Sequence, residues 1–266
     1  MSEMVDLRTE RSTRSGTYLY DGPDLVTHWH RHNLHEIEYA CHGVVEIESA
    51  DGHYLLPPQQ AAWIPAGLTH RTTLKGVRSV AVFFDPPMVE GASDRVRILA
   101  VPAVLREMFI YGLRWPIERV EADPIAESFF EALAHLTRDA LDHEAPLCLP
   151  TRQDGVIRAV MDFTKNNLAD VTLQRVCAAV GISERSLRRQ FGAATGMGWS
   201  QYLLTARLLR AMALLTEPRR TVLNVATDVG FDSLSAFTRA FGRLAGETPT
   251  AYRRRVLASD AGVHLA

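Results

Sequence analysis

No stretch of the chain reaches eighteen consecutive apolar residues, so no membrane-crossing helix is expected. The opening residues, "MSEMVDLRTERSTRSG", are polar and charged. They lack the apolar run of a secretory leader, so a cytoplasmic location is expected. Cysteine is scarce. Cys41, Cys148 and Cys177 are odd in number, far apart and include no C-x-x-C pair. That excludes a disulfide framework or a zinc knuckle and leaves three small buried side chains. Lysine is nearly missing from the back of the chain. Residues 151–266 hold 16 Lys+Arg, fifteen of them arginine, against 9 Asp+Glu, a net of +7. Residues 1–150 hold 13 against 22, a net of −9, so the formal net charge of −2 conceals a polarised chain. Arginine's planar fork suits phosphate oxygens and guanine edges. An acidic front and a basic back imply two jobs, with nucleic acid as the partner of the back. With 47% apolar residues in 266, the chain can build cores for one large or two modest domains.

From about 17 to 86 short apolar runs alternate with turn residues. "GVVEIES", an Asp-Gly turn in "ADGHY", then "YLLPP" read as a hairpin; "QAAWIPAG" and "VRSVAVFF" read as further strands. Such punctuation implies an antiparallel barrel or sandwich. After 87 the period becomes helical. Val104, Leu105, Met108 and Leu113 share one spacing, and Ile125, Phe129, Leu133, Leu136 and Leu141 another, with Asp123 as N-cap and Pro124 at the first helical position. These helices either cover the barrel or pair with a second copy. Further on, Val156, Val160 and Phe163 share a helical face.

Beyond 170 the chain repeats itself. "VTLQRVCAAVGISERSLRRQFGAATG" (171–196) aligns with "TVLNVATDVGFDSLSAFTRAFGRLAG" (221–246). Val176, Val180 and Gly181 match Val225, Val229 and Gly230; after a one-residue insertion Leu187, Arg189, Phe191 and Gly196 match Phe237, Arg239, Phe241 and Gly246. This is a duplicated helix-turn-helix. Thr172, Ser183 and Ser233 serve as N-caps, Gly181 ends the first helix of its pair, and Leu187, Phe191, Phe237 and Phe241 are the packing anchors. Outward positions are the candidate DNA contacts: Arg185, Ser186, Arg188 and Arg189 in the first copy, Leu234, Ser235 and Arg239 in the second. Arg189 and Arg239, at equivalent positions, have a second reading as structural ties between helices. Arg253, Arg254 and Arg255 suit either phosphate contact or surface solubility.

On these residues, and on the specific run "VATDVGFDSLSAFTRAFGRLAGETPTAYRR", the stretch 151–255 resembles the DNA-binding domain of the AraC/XylS family of bacterial transcription regulators. The resemblance implies two helix-turn-helix units joined by one long helix, which "WSQYLLTARLLRAMALLTE" (199–217) fits with a stripe of Leu203, Ala206, Leu209, Ala213 and Leu214. It also implies recognition helices in successive major grooves of one DNA face. The leading expectation is a regulator of promoter DNA, activator or repressor, with a small-molecule or metal effector and a homodimer formed by the middle helices.

The front half resembles a cupin barrel. His30, His32, Glu36 and Gly43 meet the spacing of its first motif; Pro65, Gly67 and His70 meet that of the second. Gly22 suits His28 rather than His30, and Leu74 stands where the family has asparagine. In alternation, His28, His30 and His32 would point to one side of a strand. His30, His32, Glu36 and His70 either hold a divalent transition metal or line a small-molecule pocket. The expected fold is therefore α+β with two domains: an antiparallel cupin-like barrel with following helices, then an all-α domain with two helix-turn-helix units. The expected order is a flexible arm (1–16), barrel (17–90), helical cover or dimerisation region (91–145), linker (146–152), DNA-binding domain (153–257) and tail (258–266). The reading is a non-enzymatic regulator. The alternative is a metal-dependent cupin oxygenase or isomerase with a helical appendage.

Overall fold

The computed structural model describes residues 3–5, 13–50, 52–91, 94–143, 148–150 and 155–260. The chain divides into two compact units, the first chiefly residues 1–146 and the second chiefly 147–258. The architecture is α+β, a strand-rich front and a helical back.

The front unit contains β1 (Glu3–Val5), β2 (Ser15–Asp21), β3 (Leu25–Val26), β4 (His30–His32), β5 (His35–Ser49), β6 (Gly52–Leu56), β7 (Gln60–Ile64), β8 (His70–Phe84) and β9 (Arg97–Ala100). The long strands β5 and β8 pair antiparallel from His35↔Phe84 to Ser49↔His70, with irregularities around His42. β2 lies along β8, and β7 pairs with both β5 and β9. The period-two pattern decides the faces. Ile37, Tyr39 and Cys41 join Val80, Val82 and Phe84 in a core shared with α1 (Ala103–Tyr111) and α2 (Pro124–Leu141), through Leu105, Phe109, Phe130 and Leu133. The alternate residues Ala81 and Phe83 form a smaller cluster with Leu34 and Ile117. That second face also carries Glu36, paired with Phe83, and Glu38, paired with Ala81.

Several expectations need correction. Ser15 and Gly16 belong to β2 and are buried, and Glu3–Val5 pairs parallel with β4, so neither stretch is part of a flexible arm; residues 1, 2 and 6–12 of the expected arm 1–16 lie outside the described residues. The cover region 91–145 begins with a strand, β9, before its helices. The α2 stripe is displaced: Ile125 is 66% exposed and Leu136 37%, while Ala126, Phe130, Leu133, Ala134 and Thr137 are buried. The linker falls mostly outside the described residues, except for β10 (Cys148–Pro150). Asp51 of the hairpin turn is also outside them.

The back unit holds α3 (Gly155–Asn166), α4 (Leu173–Val180), α5 (Glu184–Thr195), α6 (Trp199–Leu215), α7 (Val222–Asp228), α8 (Leu234–Ala245) and α9 (Pro249–Asp260). α9 runs into the expected tail, and 261–266 lie outside the described residues. The caps form as the sequence suggests. Thr172, Ser183 and Ser233 accept from the N–H groups of Arg175, Ser186 and Ala236, and Gly181 closes α4 at φ 71°. On α3 the buried positions are Ile157, Val160, Met161 and Thr164, with Val156 and Phe163 only half-buried. Thr164 Oγ1 donates to the Val160 carbonyl and accepts the Trp199 Nε1–H at 3.0 Å, tying α3 to α6. The expected stripe on α6 is an understatement. Buried residues run all round it, from Trp199, Tyr202 and Leu203 to Met212 and Leu215, the signature of a helix threaded through a core.

Candidate nucleic-acid interface and barrel centre

Leu187 and Phe191 are fully buried and anchor α5. At 100° per residue, Arg185 and Arg189 fall on the opposite side. Both are exposed, and among the described residues neither guanidinium has a partner. Arg188 stands at the flank, 3.7 Å from Glu184 in an exposed pair that contributes little. Ser186 is occupied locally: its N–H donates to Ser183 Oγ at 3.2 Å and the two hydroxyls lie 3.0 Å apart. In α8, Phe237 and Phe241 repeat the anchors, with Ser235 and Arg239 exposed opposite them and Leu234 42% exposed. Arg189 and Arg239 therefore tie no helices together among the described residues. Of the closing arginines, Arg253 Nε donates to the Leu215 carbonyl at 3.0 Å and Arg255 pairs with Glu247, which leaves Arg254 exposed.

The barrel centre draws on β4, β5 and β8. Register places His30 beside His70, and Glu36 sits one residue into β5. The Gly67 N–H donates to the His32 carbonyl at 2.7 Å, fastening the loop before His70 onto β4. One ligating atom each from His32, Glu36 and His70 lie within 4.8 Å of one another. The His30 ring lies 4.3 Å from that of His70, tilted 54° to it, but His30 lies outside this group; His28, expected on the same side, is exposed. Each imidazole is anchored through Nδ1 to a main-chain carbonyl: His30 to His28 at 2.8 Å, His32 to Leu34 at 2.7 Å, His70 to Leu68 at 3.0 Å. A carbonyl only accepts, so each Nδ1 carries the proton and each Nε2 is left for the site.

Glu36 Oε2 accepts from His32 Nε2 at 2.7 Å and lies 4.0 Å from His70 Nε2. Burial works to lower the His32 pKa, but the Glu36 hydrogen bond and charge outweigh it and hold the ring above its usual value. At Glu36 burial works to raise the pKa, but the His32 hydrogen bond and charge, with His70, overcome it and hold the carboxyl at about 2. Burial takes His70 down to about 4, neutral at physiological pH. Glu38, two residues along the same face, went unnoticed in the sequence although the strand alternation from Glu36 indicates it. Burial, then the Glu36 charge, push its carboxyl well above the usual range.

Residues 17–148 match the AraC-like ligand binding domain and residues 176–255 match a helix-turn-helix domain. The chain belongs to the AraC family of transcription regulators. This regulator is 25% identical over 237 residues to the HTH-type transcriptional regulator NimR of Escherichia coli K12, covering 88% of this chain and 84% of that one. It is 33% identical over 135 residues to the HTH-type transcriptional activator RhaR of the same strain, covering 50% of this chain and 47% of RhaR. Among solved structures, ToxT from Vibrio cholerae aligns over 91% of this chain and 98% of its own at 9% identity, with a TM-score of 0.39. The family is one of regulators rather than enzymes, so the oxygenase alternative falls away. The regulator binds DNA through its helix-turn-helix domain and carries a ligand-binding domain. Among the described residues no helix is long and apolar enough to cross a membrane.

Proposed function

We propose that this regulator reads promoter DNA in the cytoplasm with α5 and α8, and that an effector bound at the barrel centre modulates that grip. The observation that supports the DNA reading is the matched exposure of Arg185 and Arg189 on α5, and of Ser235 and Arg239 on α8, each opposite a buried aromatic or aliphatic anchor. Arg185 and Arg189 suit guanine O6 and N7, and Leu234 suits a thymine methyl. Arg188 adds a flanking contact once it releases Glu184, and Ser186 contributes chiefly to the cap. Arg185→Ala and Arg239→Ala should each cost about 1–3 kcal/mol of specific binding and relax preference at one position. Fluorescence anisotropy on a selected duplex measures this; unchanged affinity in both variants would overturn the reading.

For the effector, the three Nδ1 anchors favour a divalent transition metal over a merely polar pocket. Imidazoles fixed through Nδ1 with Nε2 presented, beside a carboxylate, are the donor set and supporting shell such an ion requires. His32, Glu36 and His70 would hold it, with His30 alongside; the ion would supply a fixed positive charge in place of the His32 proton. Calorimetric titration with zinc or manganese should give one site in wild type, lost in His70→Ala. DNA affinity should shift on metal addition in wild type alone. Absence of binding would return the site to an organic effector. A homodimer belongs to the same proposal: Ala103, Val104, Met108, Tyr111 and Phe129 wall an open apolar groove that a second copy would cover, and light scattering at micromolar concentration tests it.

A further inference from the structure

Gly181 and Gly230 are the matching turn glycines of the two repeats, with φ of 71° and 85°. Their surroundings differ. A Cβ at Gly181 would meet nothing within 4 Å, whereas one at Gly230 would lie 2.3 Å from the Ala169 carbonyl oxygen and 2.6 Å from Arg207 Nη2. The first glycine is required by its dihedral angle alone. The second is also required by what is pressed against it: the segment that leads into the first helix-turn-helix. Arg207, midway along α6, fills the corner. Its Nε donates to the Leu168 carbonyl at 2.9 Å, its Nη2 approaches the Ala169 carbonyl at 3.5 Å, and Asp232 supplies the opposite charge from just beyond Gly230. One side chain thus spans the connector, the entry to the first unit and the turn of the second.

Resting on the DNA reading above, we propose that Arg207 is a positioning residue that docks the second turn onto the first unit's entry segment, fixing the distance and helical phase at which α5 and α8 meet the duplex. Major grooves on one face recur every ~10–10.5 base pairs, ~34–36 Å. One extra base pair shifts and rotates the second half-site, and only a rigid pair of readers discriminates against that. The planar fork is what reaches both sides of the corner; a point charge does not reproduce it.

The test uses the full chain. Wild type selects a duplex from a random pool, footprinting locates the two half-sites, and the duplex is rebuilt with one, two or three base pairs inserted or removed between them. Wild type should lose affinity about ten-fold or more for a single-base-pair change. Arg207→Ala should bind the parent duplex more weakly yet treat parent and altered spacings nearly alike. Arg207→Lys should fall between, and Gly230→Ala, which pushes the two surfaces apart, should flatten the profile similarly. Circular dichroism and thermal melting establish which variants are folded, and Arg207→Lys, the mildest change, carries the test if Arg207→Ala does not fold. A folded variant with weaker binding but the full wild-type spacing penalty would show a merely structural role and overturn the proposal. A wild type that selects no duplex overturns the DNA reading itself; a wild type that selects one, with every folded variant keeping its penalty, overturns only this inference.

Discussion

At the residue scale, the barrel centre stores protons away from their usual positions, and the metal-free protein should show it. His35 and His70 titrate at about 4 when folded because burial disfavours their charge, but near 6.5 when unfolded. Below 6.5 the unfolded chain binds the extra protons, so stability falls with pH from there toward 4. Glu36, held at about 2, contributes above 4.5 and loses that contribution below it. His32 and Glu38 act in the opposite sense. Both keep, when folded, a proton that the unfolded chain releases, so their stabilisation is lost as pH rises through their raised values. Thermal unfolding in chelator should therefore be most resistant near pH 6.5, with lower midpoints at about pH 5 and about pH 8. A midpoint climbing steadily across that range would contradict the assignments. The spacing of His32, Glu36 and His70 was legible because the motif is itself a spacing. Their anchors were not: the carbonyls of His28, Leu34 and Leu68 are main-chain groups and leave no mark in a sequence.

At the scale of elements, ends were easier to read than faces. Caps are local chemistry, and Asp123, Thr172, Ser183 and Ser233 all accept the N–H groups expected of them. The buried face of α2 was misplaced because its centre is built partly from Ala126, Ala134 and Thr137, small residues that permit close approach yet carry little weight in an apolar stripe. Asp123 does more than cap: its second oxygen accepts the Trp115 Nε1–H at 2.7 Å. Asp123→Ala should destabilise the front unit, read as a lower urea midpoint. An unchanged midpoint would mean that neither bond matters.

At the scale of the molecule, the repeat was the most informative signal. An offset of 49 that becomes 50 at the turn defines two like units and places a helix between them, and the structure supplies both units and connector. Charge patterning separated the halves, since packing demands no such excess of arginine. The closeness of Gly230 to Ala169 and Arg207 was beyond reach, because the two halves of the repeat look alike in that position and only the tertiary arrangement distinguishes them. Salt should weaken DNA binding steeply, with log affinity falling linearly against log salt; a flat dependence would point to a non-phosphate ligand for the basic half.

Burial all round α6 has a consequence for the genes this regulator controls. A helix with little more than Ser200, Gln201 and Arg210 exposed cannot bend or slide without unpacking its neighbours, so the reach between α5 and α8 is set by the protein's own interior. Promoters under its control can drift in their letters and answer with graded strength, but insertions and deletions between the half-sites should be purged. Comparing such promoters should reveal variable words at an invariant interval.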